Sequence, residues 1–99
     1  MEQAFNANEL RDELEKKLNA ESISIPVMVT YHKGSCMELP DGDGIIEYAY
    51  NPSEENLLEA ADNVIVKLLQ EKKYKVGLKT EDRINHSEHK RTICFYLKK

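Results

Sequence analysis

Residues 22–31 alternate without a break: Ile23, Ile25, Val27, Val29 and Tyr31 fall on one side, Ser22, Ser24, Pro26, Met28 and Thr30 on the other. A period-two pattern of this kind marks a strand with one dry and one wet face. The chain must therefore build a sheet that is covered on one side only. Pro26 has no N–H to give to a ladder, which predicts an edge position for this strand.

The cover is legible on either side of it. Asn6 can cap a helix, Glu9 completes a capping box three residues later, and Phe5 with Leu10 forms the matching hydrophobic staple. Leu10, Leu14 and Leu18 then make a narrow stripe, which predicts a helix over 7–19. A second helix is expected over 52–72. Asn51 caps it, Pro52 takes the first position and Glu54 the third. Leu57, Leu58, Ala61, Val64, Ile65 and Leu68 give it a wide apolar face, and Lys72 and Lys73 favour its C-terminal end.

Residues 45–50 read as a strand, and 36–39 as a short returning strand between the turns 32–35 and 40–44. Residues 74–84 and 89–98 read as a hairpin. With its turn at 85–88, Val76 faces Leu97, Leu78 faces Phe95, Thr80 faces Ile93, Asp82 faces Arg91 and Gly77 meets Tyr96. The expected fold is α+β, one domain over 1–99. Two helices pack on one face of a mainly antiparallel sheet of four to five strands, in the order α-β-(β)-β-α-β-β.

Length and composition agree with that. Ninety-nine residues, 40% of them hydrophobic, suffice for one core. No apolar run is long enough to span a bilayer, and the N-terminus has no export pattern, so no membrane role is expected. A cytoplasmic setting with Cys36 and Cys94 both reduced follows. Abundant Lys, Asn, Ile and Glu suit an AT-rich bacterial or phage genome.

Charge is spread unevenly. Residues 34–66 carry eight acids and no lysine or arginine, whereas 67–99 carry ten bases against four acids. Two candidate surfaces follow. The acidic one comprises Glu38, Asp41, Asp43, Glu47, Glu54, Glu55, Glu59 and Asp62. Glu55, Glu59 and Asp62 stripe the second helix opposite its apolar face, with Val66 on the same stripe. That arrangement suits a basic surface on a partner protein. On the hairpin, Lys75, Lys79, Arg83, Lys90 and Lys98 share the face of Tyr96, which could hold single-stranded nucleic acid by charge and stacking. The duller reading of each is a solvated helix face and an edge kept soluble by lysine.

Little in the chain suggests chemistry. His32-x3-Cys36 and His86-x2-His89 have zinc-ligand residue types, but such short matches are mostly accidental. The loop from Asp41 lacks the glycine and glutamate of a calcium hand. No phosphate loop, serine elbow or zinc-protease motif occurs, and Cys36 with His32 is the one candidate nucleophile pair. No cofactor and no catalytic residue is expected. The expectation is a non-enzymatic protein-binding module that presents its acidic face to a basic partner. A small regulator or inhibitor of the immunity, antitoxin or phage anti-defence kind would fit. Nucleic-acid binding through the basic face is the alternative, and a structural zinc domain the third.

Overall fold

The computed structural model describes residues 6–31, 44–83 and 89–97. Its elements are α1 (Ala7–Ala20), β1 (Met28–Tyr31), β2 (Gly44–Tyr50), a 3₁₀ turn (Pro52–Glu54), α2 (Leu57–Glu71), β3 (Tyr74–Arg83) and β4 (His89–Leu97). The four strands form one sheet in the order β1-β2-β4-β3, with antiparallel pairing throughout. Both helices lie on one face of it, as the alternation of residues 22–31 requires. The short strand expected at 36–39 and the staple residue Phe5 lie outside the described residues.

α1 starts as its sequence dictates. The Oδ1 of Asn6 accepts a hydrogen bond from the Glu9 N–H at 3.0 Å, and Leu10, Leu14 and Leu18 are buried. Its end is a Schellman turn. The N–H of Ser22 donates to the Asn19 carbonyl and that of Ile23 to Leu18, both at 2.9 Å. Ser22 adopts φ 64° to make this turn. Ile23 and Leu18 are both buried.

That turn shortens the first strand. Ser22 belongs to the helix stop, and the ladder begins only at Met28, beyond Pro26. Ile23 and Val27 are still buried, so the alternation was read correctly as burial while the ladder it implied is shorter. The edge position holds.

α2 is also shorter than expected. Pro52–Glu54 form a separate 3₁₀ turn, in which the Glu54 N–H reaches the Asn51 carbonyl at 2.8 Å. The α-helix starts at Leu57, and Asn56 at its cap makes no side-chain bond. The tight turn lifts the chain from β2 into the helix layer before α2 can run. Across the helix pair, Lys72 Nζ lies 2.9 Å from Glu13 and Lys17 3.8 Å from Glu71. The hydrogen bond to Glu13 holds the Lys72 ammonium above its ordinary range.

The hairpin carries a correction. Val76 faces Phe95, not Leu97, and Lys75 faces Tyr96. Beyond them Gly77 and Leu78 together oppose one residue of β4, so that Lys79 meets Ile93 and Glu81 meets Arg91. The expected register is thus slipped by two residues before the bulge, which keeps the faces, and by one after it, which exchanges them. Glycine within a strand favours such a bulge because it leaves no side chain to pack.

The core lies between the helices and the inner face of the sheet. Leu14, Leu18, Ile46, Ile65, Leu69, Ile93 and Phe95 are almost wholly buried there, and Tyr74 stacks on Phe95 with centroids 5.6 Å apart.

Candidate functional site

Towards the start of α2 the same layer becomes polar. β2 contributes Tyr48 and Tyr50 on its inner face, opposite Arg91 and His89 of β4. α2 contributes Asp62, which the helical stripe Leu58, Asp62, Ile65, Leu69 turns inward. Its side chain is only 8% exposed. Tyr48 donates its hydroxyl to Asp62 Oδ1 at 3.0 Å. Arg91 donates from Nε to Oδ2 at 3.2 Å, and from Nη2 to the same oxygen. A planar guanidinium gripping a carboxylate in this way is the strong form of such a pair.

Tyr50 and His89 lie alongside. The Tyr50 hydroxyl and His89 Nδ1 are 3.3 Å apart, and the rings meet edge to face at 5.4 Å. Tyr48 and Tyr50 rings stand 6.4 Å apart. The arrangement is a buried bridge between helix and sheet.

Asp62 must therefore leave the acidic surface. It is a core residue, and Val66 one turn on is half-buried rather than exposed. Burying an aspartate is tolerable because both its oxygens are bonded. Glu38, Asp41 and Asp43 lie outside the described residues. Glu47 is half-buried on the open sheet face, with its carboxylate 3.3 Å from Lys90 Nζ. What stays acidic and exposed is Glu54, Glu55 and Glu59, at the turn into α2 and its first turn. Among the described residues no base forms a salt bridge with any of the three.

The basic surface is also smaller than expected. Lys75 and Tyr96 share the open face, with the ammonium 5.7 Å from the ring centroid. Lys90 is there too, occupied by Glu47. The bulge places Lys79 opposite Ile93 and Arg83 opposite His89, which are inner-face register positions. Lys98 lies outside the described residues. Among the described side chains the open face therefore brings Lys75 and Lys90 together with Tyr96, while Lys79 is exposed at a register position of the other parity. Met28, 58% exposed on β1, is the exposed large hydrophobic residue of the described part.

Of the zinc candidates, His32, Cys36 and His86 lie outside the described residues, and His89 is engaged with Tyr50. Among the described residues no group of three or more His, Cys, Asp or Glu is placed to hold a metal ion. No described helix is long and apolar enough to cross a membrane.

Sequence reasoning missed Tyr48, Tyr50 and Arg91, although two signals were present. Asp62 interrupts an apolar stripe on α2, and Arg91 has the strand parity of Ile93 and Phe95 on β4. Each is a charge on a core face, and the two are of opposite sign.

Compared with known proteins, the chain matches no family model, no curated protein and no solved structure.

Proposed function

We propose that this chain is a small non-enzymatic protein-binding module, a regulator or inhibitor of the immunity, antitoxin or phage anti-defence type working inside the cell. It presents the acidic start of α2 to a basic surface on its partner. The observation that carries this reading is the contrast among its carboxylates. Asp62, Glu47, Glu13 and Glu71 all have basic partners within the chain. Glu54, Glu55 and Glu59 also have no salt bridge among the described residues, and unlike Glu9, Glu15 and Glu21, which have none either but are spread along α1 and its end, they cluster in exposed positions. Uncompensated surface charge of one sign steers a partner of the other and suppresses wrong ones.

The test is an affinity measurement with the partner captured from the native host. Glu55→Lys with Glu59→Lys should weaken binding by about tenfold or more, roughly 1.4 kcal/mol. The thermal midpoint should fall by no more than several degrees, the cost of exposed lysines at a helix start, so the fold persists while binding is lost. Association by the wild type should slow as salt shortens the screening length to about 8 Å at physiological strength. An unchanged affinity in the double variant refutes the proposal.

A further inference from the structure

The β1–β2 ladder closes only from Met28 and Glu47 onward. Carried further in the same register, it would set Pro26 against Ala49, Ile25 against Tyr50 and Ser24 against Asn51. β2 does continue to Tyr50, because β4 pairs along its other side as far as His89. The opposing segment does not follow. Pro26 lacks the N–H such a ladder needs, and residues 23–27 form no strand.

Between the two lies a notch of about 200 Å³. Its walls are residues 24–26 and 49–51, the same residues the extended ladder would have joined, and Glu54 completes the lining. The notch is thus the unzipped end of a sheet. Strand backbone facing it has no ladder partner there, and such groups must be met by water or by a ligand. Since a liquid water occupies roughly 30 Å³, the space equals about six or seven waters. That suits one long side chain and is too narrow for a helix.

We infer that the notch receives a lysine or arginine side chain of the partner, carried on an extended segment. Three features select that occupant. Among the described residues Glu54 is the one charged group lining the notch, and it has no salt bridge there. Ile25, Pro26 and Ala49 offer an apolar wall for the methylene stem, while the charged head stays at the rim. The run 22–31 carries no charge, so nothing on that wall of the notch repels a cationic segment. This rests on the reading of the partner as basic.

The experiment maps backbone amide shifts of the full chain during titration with a short alternating lysine–valine peptide blocked at both ends. A glutamate–valine peptide is the control. Saturating shifts should gather at Ser24, Ile25, Ala49, Tyr50 and Asn51 with the lysine peptide alone. Glu54→Gln should weaken them about threefold, the size of an exposed ion pair. Pro26→Val restores the missing N–H, should let the ladder zip shut, and should abolish the shifts. Shifts confined to Glu55 and Glu59 would overturn the notch while leaving the acidic α2 surface standing. Shifts at neither place, or a Glu54→Gln chain that binds as the wild type does, would also overturn it. Partner affinity of the Glu55/Glu59 variant decides the proposed function separately.

Discussion

β4 serves two unlike halves of one core. Phe95 and Ile93 meet Leu14, Leu18, Ile46, Ile65 and Leu69 in a dry cluster. Two residues further up the same face, Arg91 and His89 meet Asp62, Tyr48 and Tyr50 through directed bonds. The dry half stabilises by area and packing, with little regard for exact orientation. The polar half contributes little net energy, because desolvating Asp62 and Arg91 offsets most of what their attraction returns. Its effect is geometric. Arg91 ties Asp62, and with it α2, to the sheet through directed bonds.

The two halves should fail differently. Phe95→Ala removes a wholly buried ring stacked on Tyr74 and should cost about 3–5 kcal/mol in a urea melt. A domain with roughly 5–15 kcal/mol in total would then be close to unfolding. No second substitution in the polar half should recover that loss. Melting like the wild type would mean that the ring is not a core residue.

Arg91→Ala should also cost about 3 kcal/mol or more, because it strands the buried Asp62 carboxylate, and Asp62→Ala should cost less, because Arg91 is only half-buried. Here a second change does help. Asp62→Leu with Arg91→Met should regain most of that stability, even exceeding the wild type by as much as about 1–4 kcal/mol. The double-mutant cycle therefore separates the halves. Additive losses in the cycle would show that the bridge is solvated and carries no coupling.

The dry half was largely legible in the sequence, and the polar half was not. Leu10, Leu14 and Leu18 announce α1 by spacing, and Asn6 marks its start. β2 and the edge position of β1 follow from alternation and Pro26. These signals are local. Asp62 and Arg91 are 29 residues apart, and each alone reads as a surface charge, so only their mutual placement shows that Asp62 is buried and Arg91 half-buried. The hairpin register failed for a related reason. Pairing by complementarity requires an unbroken ladder, and Gly77, which reads in the sequence as a site for aromatic cover, marks the bulge instead. A single extra residue there moved Lys79 from the open face to a position opposite Ile93. The candidate acidic surface was half legible: Glu54, Glu55 and Glu59 are exposed as expected, while Asp62 is not.

Tyr48→Phe is the finest test of the difference, with the smallest expected effect. The change removes one hydroxyl and leaves the ring, so packing against the dry half is kept. Asp62 would keep its bonds from Arg91, but on Oδ1 only the long one from Nε at 3.5 Å would remain once the hydroxyl at 3.0 Å is gone. Asp62 is too deeply buried for water to replace that donor easily, so the loss should be about 1–3 kcal/mol. In the Asp62→Leu/Arg91→Met background the Tyr48 hydroxyl has no carboxylate to bond. There the same Tyr48→Phe change should cost less, since the bond to Asp62 that it removes is already absent. The size of the Tyr48→Phe effect should thus depend on whether the bridge is present. An equal cost in both backgrounds would show that the hydroxyl acts independently of Asp62, and the polar half would then no longer be one unit.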